Sequence, residues 1–331
     1  RAAHFGVLIK GAHPLENMAR IHTIILDKTG TLTDGRPQIA AIHASPEYTD
    51  DELVRLAASL DQASKHPIAQ AIVAAARARN IDLVLPAETR EIPGDGVVGL
   101  VDGKSVVVGG HGFVSRHAGS TVEALPDAEA GSVIVAVAVS GQLAGYIVMA
   151  DPVREEVGEM LAGLRREGVQ RILLATGDRA AVAERIAGGL GLDGIHSGLT
   201  PDQKVLVVLT ERKNGPVMMV GDGVNDAPAL AAADVGVAMG ARGAAASAET
   251  ADVVLLVDRI ERLRSGIEIA RRSRRIAIES VIAGIGLSVL AMIAAAFGYL
   301  QPVEGALLQE VIDVAVILNA LRALRISPSV S

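Results

Sequence analysis

Asp27 closes the apolar run Thr23-Ile24-Ile25-Leu26 and is followed by Lys28-Thr29-Gly30-Thr31. A carboxylate in that position can act as a nucleophile toward a phosphoryl group. Attack of one anion on another requires charge neutralisation, which lysines and a hard divalent cation supply. The hydroxyls and glycine N–H just after the nucleophile offer donors to phosphate oxygens. Further carboxylates recur in the same setting. Thr176-Gly177-Asp178 follows the apolar run 171–175, and Asp222 and Asp226 lie in Gly221-Asp222-Gly223-Val224-Asn225-Asp226 after the run 217–220.

Each of these runs ends in a polar, glycine-bearing loop and reads as a buried parallel strand. Ligands bind at the carboxyl ends of such strands in open α/β sheets. Residues 234–239 and 251–256 add two strand candidates, and helical patterns at 154–167 and 180–190 lie between them. This alternation predicts a doubly wound α/β domain. Residues 38–149 interrupt it with helical stretches at 50–60 and 67–80, then glycine-rich, β-branched runs at 97–101, 105–109 and 132–139. An inserted α+β domain is expected there.

The chain has 331 residues, enough for two soluble domains. A net charge of -7 gives no general basic surface for nucleic acid. Absence of cysteine removes disulfides, thiolate metal sites and cysteine nucleophiles from this segment. With no Trp and only three Phe and three Tyr, the cores must be aliphatic. The mean hydropathy of +0.38 has its source near the C-terminus. Residues 276–300 are apolar apart from Glu279, long enough to span a bilayer, and 303–321 form a second apolar stretch interrupted by Glu304, Gln309, Glu310, Asp313 and Asn319. Arg271, Arg272, Arg274 and Arg275 precede this pair and Arg322 and Arg325 follow it, which fits a membrane hairpin with cytoplasmic ends. A buried helical hairpin of a soluble protein is the alternative. The opening Arg1, with no signal-peptide pattern, reads as the middle of a longer protein.

The seven residues Asp27-Lys28-Thr29-Gly30-Thr31-Leu32-Thr33 closely resemble the phosphorylation motif of the P-type ATPases. The resemblance implies a haloacid-dehalogenase-like phosphorylation domain (21–37 and 150–262), an inserted nucleotide domain (38–149) and two C-terminal membrane helices (about 276–300 and 303–321, within 263–331). Residues 1–20 would be the cytosolic end of a preceding membrane helix. ATP and Mg²⁺ are implied, with Asp27 as the phosphorylated residue beside Lys28 and Thr29. Asp27, Thr29, Asp222 and Asp226 would hold Mg²⁺. Thr176, Gly177 and Asp178 resemble the phosphate-contacting loop, Lys204 the phosphate-neutralising lysine, and Asp151-Pro152 the return into the domain. Soluble phosphatases on this scaffold usually carry a second Asp two positions after the nucleophile. Thr29 stands there instead, so an acyl phosphate should persist.

Ser64-Lys65-His66-Pro67 resembles the signature of heavy-metal pumps, with Asp61 upstream and Gly94-Asp95-Gly96 and Gly109 downstream. That resemblance places Asp61, His66, Gly94, Gly96 and Gly109 around ATP. His66-Pro67 also reads simply as a helix start. The family commonly has Glu at positions 61 and 65 and Asn at 110, so adenine contacts here depart in detail. Glu310 and Asp313 share one helical face, and acidic groups at membrane depth mark ion pathways. With no Met or Ser between 303 and 321, they point to Zn²⁺, Cd²⁺, Co²⁺ or Mn²⁺ as cargo. The expected partners are that ion, the lipid bilayer, and an upstream half bearing an actuator domain and further membrane helices. The expected setting is a multi-pass bacterial inner or plasma membrane with cytoplasmic catalytic domains. A membrane-tethered phosphatase, a regulatory nucleotide-binding subunit and a pump for another cation are the competing readings.

Overall fold

The computed structural model describes residues 2–118, 125–223, 225–240 and 249–326. In chain order the first elements are β1 (Val7–Ile9), α1 (Ala12–Ala19), β2 (Thr23–Leu26), β3 (Gln38–Ala44), α2 (Asp50–Asp61), α3 (Pro67–Ala78), β4 (Ala87–Ile92), β5 (Gly96–Val101) and β6 (Lys104–Gly110). Then come α4 (His111–Ala118), β7 (Val133–Val139), β8 (Gln142–Ala150), α5 (Val157–Arg166), β9 (Arg171–Ala175), α6 (Ala180–Ala187), β10 (Gly194–His196) and α7 (Pro201–Glu211). The last are β11 (Val217–Gly221), α8 (Ala227–Ala232), β12 (Val235–Met239), β13 (Val253–Leu255), α9 (Arg262–Ala296) and α10 (Pro302–Ala320). They gather into two compact units, one of residues 1–32, 155–177 and 187–331 and one of 33–154 and 178–186.

The first unit is built on a seven-stranded sheet of order β1-β13-β12-β11-β2-β9-β10. Every pairing is parallel except that of β1 with β13. Strands β2, β11 and β12 are buried along their whole length, as their unbroken apolar sequences require of a sheet covered on both faces. Ile25 lies opposite Met219 on one side and Leu173 on the other. That register brings the carboxyl ends of β2, β9 and β11 to one edge, where Asp27, Thr176 and Asp222 leave their strands.

The second unit is a six-stranded antiparallel sheet of order β3-β8-β7-β6-β5-β4. Alternation along β7 divides two cores. Val135 and Val137 join Leu53, Leu60, Ile72 and Ile147 beneath α2 and α3, whereas Ala136 and Ala138 join Phe113, Val114 and Tyr146 beneath α4. Helix α2 starts in a capping box, with Thr49 Oγ1 accepting from Glu52 N and Thr49 N donating to Glu52 Oε2. Where the chain enters and leaves this unit, Thr33 bridges to Val153, its hydroxyl donates to Asp151 at 2.7 Å, and Arg154 pairs with Asp34 at 3.3 Å.

Several elements differ from the sequence reading. Residues 1–20 provide the edge strand β1 and the short helix α1, not merely the end of a helix. Three residues are too few to carry a period, so β1 owes its form to pairing with β13. The same holds for β10 on β9. The expected strands at 97–101, 105–109 and 132–139 are present, but β3, β4 and β8 were not foreseen. Helix α9 starts at Arg262 rather than near 276, because its first turns bury Leu263, Ile267 and Ala270. Beyond that point its apolar side chains are largely exposed, and among the described residues it is the one helix long and apolar enough to cross a membrane. Helix α10 runs antiparallel to it, with Asn319 Nδ2 donating to Ser280 Oγ at 2.8 Å and Ser288 Oγ to Gln309 Oε1 at 3.1 Å.

Gly266 sits inside α9 although glycine weakens a helix interior. A β-carbon there would stand 3.1 Å from Met18 Cε and 3.2 Å from Val7 Cγ1, so the missing side chain lets α9 lie against α1 and β1. Gly266→Leu is expected to destabilise the first unit by about 2 kcal/mol through overpacking, measured by denaturant unfolding in detergent.

Candidate active site

Asp27 is 6% exposed and its backbone N–H donates to Val220 O, tying the nucleophile loop to β11. Lys204, near the start of α7, donates from Nζ to Asp27 Oδ1 at 2.5 Å and to Asp226 Oδ1 at 2.6 Å. Thr200 caps α7 and Pro201 occupies its first turn, which fixes where Lys204 emerges. Asp226 is 2% exposed. Room for it comes from Gly221, whose β-carbon would fall 2.6 Å from Asp226 Oδ2. Gly30 has a φ of +71°, and a β-carbon on it would stand 3.3 Å from Asp222 Cβ, so its loop and the Asp222 loop lie close together.

Burial, and then the charge of Asp226, push the Asp27 carboxyl up to about 6, against the pull of Lys204. Asp226 is also raised, by burial first and by Asp222, with Lys204 opposing. Burial works against the Lys204 ammonium, but Asp27 and Asp226 hold it above its ordinary value. One cation thus neutralises one of two buried carboxylates. The remaining negative charge calls for a further cation at this edge.

Mg²⁺ fits that need, since it is commonly held by one or two carboxylates together with phosphate oxygens and water. Asp27 and Asp222 supply hard oxygen donors at these neighbouring loops. Asp226, also expected as a Mg²⁺ ligand, accepts from Lys204 as Asp27 does, the ammonium lying between the two carboxylates. No group of three His, Cys, Asp or Glu side chains is arranged as a metal centre among the described residues. Thr29 lies exposed on the loop and Lys28 is half-buried. The Thr31 hydroxyl is fully buried without a hydrogen-bond partner, an orphan beside the nucleophile. Thr176 is held by its backbone between His196 O and Leu199 N, and Gly177 follows it. Asp178 follows Gly177 directly in the chain.

The second unit contains a cavity of about 220 Å³ lined by Asp61, Ser64, His66, Glu91, Gly96 and Ile134 among others. His66 caps α3, its Nδ1 accepting from Ile68 N at 3.3 Å, so the helix-start role is real and leaves the rest of the ring at the cavity. Gly94 has a φ of +84° with nothing near its missing side chain, as a turn open to solvent demands. Gly96 and Gly109 face each other across β5 and β6. A β-carbon on Gly96 would lie 2.3 Å from Val108 O and 2.8 Å from the Phe113 ring, so close packing as well as ligand access requires glycine there. Glu91 was missed by the sequence reading, and Ser64 was quoted only within the signature: Ser64 Oγ donates to Glu91 Oε1 at 2.5 Å. The sequence carried no sign of Glu91, since the strand that places it was itself unforeseen.

On α10, Asp313 accepts from Gln309 Nε2 at 3.0 Å, and Gln309 in turn accepts from Ser288 of α9. Glu310 is exposed.

A family model described as haloacid dehalogenase-like hydrolase matches residues 21–234, well over half of the chain. The chain belongs to that family. Asp27 stands at the carboxyl edge of the parallel sheet, where ligands bind in open α/β folds. Among relatives, a manganese-exporting P-type ATPase of Mycobacterium leprae is 36% identical over 98% of this chain and 46% of its own length. A zinc-transporting ATPase of Synechocystis is 33% identical over 97% of this chain and 44% of that protein. The crystal structure of a zinc-transporting PIB-type ATPase in the E2.Pi state superposes with a TM-score of 0.85 at 33% identity, over 98% of this chain and 53% of that one. The chain therefore spans about half the length of the relatives it matches.

Lys204→Met would leave Asp27 and Asp226 buried without a counter-charge. The expected cost at neutral pH is roughly 3 kcal/mol. Because both carboxyls are raised, protonation relieves the repulsion, so the deficit should shrink as pH falls through about 6. Denaturant unfolding at the two pH values measures it.

Proposed function

We propose that this chain carries the phosphorylation and nucleotide-binding machinery of a heavy-metal-exporting P-type ATPase, with ATP as substrate and Asp27 as the acceptor. The observation that carries the reading is the buried Asp27–Lys204–Asp226 arrangement at the edge where Asp222 also emerges. The likeness to manganese and zinc exporters over almost the whole chain supports it.

In this reading an Asp27 carboxylate oxygen bonds to the γ-phosphorus, the bond from that phosphorus to the β,γ-bridging oxygen breaks, and ADP leaves with the electron pair. Lys204 draws negative charge from Asp27 toward its own ammonium and orients one carboxylate oxygen, leaving the other for attack. Mg²⁺ at Asp27 and Asp222 would supply charge neutralisation for the phosphate oxygens. Gly30 lets the loop approach Asp222 closely, and the Thr31 hydroxyl is free to donate. Thr29 stands where a general acid–base Asp would speed hydrolysis, so the acyl phosphate survives until a trigger outside this chain acts. This separates the reading from that of a tethered phosphatase. The nucleotide is assigned to the cavity of the second unit, with Asp61, His66, Gly94, Gly96 and Gly109 at or beside it; Thr176, Gly177 and Asp178 are assigned to phosphate contact.

The α9–α10 pair is assigned to the bilayer, with the catalytic units cytoplasmic and the remaining membrane helices and actuator domain supplied by the rest of the protein. The cargo class is Zn²⁺, Cd²⁺, Co²⁺ or Mn²⁺. Asp313, joined to α9 through Gln309 and Ser288, is assigned a place on the ion path ahead of Glu310.

Acid-quenched complete protein exposed to γ-labelled ATP and Mg²⁺ should retain label that hydroxylamine removes, and Asp27→Asn should retain none. Label of equal size in both proteins would sink the mechanism. Asp27 must be ionised to attack, so phosphoenzyme formation should decline as pH drops through about 6, a trend read from initial labelling rates. Across a panel of divalent metals, Asp313→Ala should lower metal-stimulated ATPase at least about tenfold, roughly 1.4 kcal/mol, and Glu310→Ala should lower it less.

A further inference from the structure

The cavity of the second unit contains a carboxyl group with no evident reason to be ionised. Asp61, at the end of α2, is 2% exposed and lines the cavity, yet no described residue donates a hydrogen bond to its side chain. Among the described residues, no lysine or arginine lines the cavity. The nearest charged group that acts on it is a second carboxyl, Glu91 of β4, fixed by the Ser64 hydroxyl at 2.5 Å. Ser64 is fixed in turn, accepting from His66 N at 3.1 Å. From the turn between β4 and β5 comes Asp95, which pairs with Arg116 at 3.6 Å, and from the start of α3 comes His66. An ionised Asp61 would be a buried charge with no compensation and a like charge beside it, which is a costly state.

A neutral carboxylic acid presents one donor and one acceptor side by side, whereas a carboxylate presents acceptors only. Adenine offers the complement of the neutral form on its pairing edge, an acceptor at N1 next to a donor at N6. Guanine offers two donors, at N1 and N2, the complement of the ionised form.

We propose that Asp61 and Glu91 form a carboxyl pair that reads the nucleobase through one held proton, selecting adenine while the proton is present and surrendering that selectivity when it leaves. The proposal rests on the assignment of the nucleotide to this cavity. Burial first, and then Glu91, lift Asp61 to about 7 from an ordinary 3.8, so the change falls within the physiological range. Glu91 is therefore a specificity-determining residue that acts partly through Asp61, by keeping a proton there.

The test is binding of ATP and GTP to the full chain in detergent by calorimetry, at about pH 6 and about pH 8.5, on either side of the Asp61 transition. Both ligands carry the same triphosphate, so its titration cancels in the ratio of affinities. The ATP-to-GTP ratio of the wild type should fall about tenfold or more between the two conditions. Asp61→Asn carries a permanent donor and acceptor, so it should keep the acidic-side ratio at both pH values, with His66 unchanged as the internal control. Glu91→Gln removes the like charge and should move the transition to lower pH. A ratio in the wild type that does not change with pH, with ATP still bound, would overturn the proposal alone. Persistence of the full pH dependence in folded Asp61→Asn would assign the effect to another group and overturn it too. Failure of a folded wild type to bind either nucleotide would overturn the cavity assignment and the proposal together.

Discussion

A single ammonium group holds the centre of this protein together. Lys204 arrives from α7 between two buried carboxylates that leave different strands, and it satisfies one negative charge out of two. Much of the surrounding architecture follows from that constraint. Gly221 must lack a side chain so that Asp226 fits, Gly30 must accept positive φ so that the nucleophile loop can lie close to Asp222, and α7 must begin at a firm cap so that Lys204 has a defined origin. The surplus negative charge makes the edge receptive to a hard cation and, with it, to a phosphate chain.

The second unit solves a different problem. Its cavity lies at the edge of an antiparallel sheet whose strands must approach closely, and paired glycines at 96 and 109 allow the Phe113 ring to close over them. The polar groups there, Asp61, Ser64, His66 and Glu91, are few and are aimed at one apolar chamber, the usual composition of a site that orients a flat ligand. Each unit has its own core, aliphatic in the first and nearly so in the second, as a sequence without Trp demands.

The C-terminal helices show how one element serves two solvents. The opening turns of α9 bury Leu263, Ile267 and Ala270 against the soluble unit, and the continuation exposes apolar side chains over several turns. Between α9 and α10 the contacts combine close packing, with Gly284 lying under Val316, and hydrogen bonds from Asn319 to Ser280 and from Ser288 to Gln309. Small residues and side-chain hydrogen bonds are what hold helices together where apolar burial gives no net drive.

The sequence by itself determined the strand that ends at Asp27, the strands on either side of it and the presence of an inserted α+β segment. It could do so because buried parallel strands write continuous apolar runs and catalytic loops follow them in chain order. Asp27 and Asp222 were legible as strand-end carboxylates for that reason, whereas Lys204 was named only by the family resemblance. Only the tertiary structure decided that Asp226 answers to Lys204 and that Gly96 and Gly109 are needed by each other. It alone supplied β1 and β10, too short to carry a period, and Glu91, whose strand alternates too weakly to be seen. Those facts depend on which segments meet across long sequence separations, and a local pattern holds no record of a contact made between residues far apart in the chain.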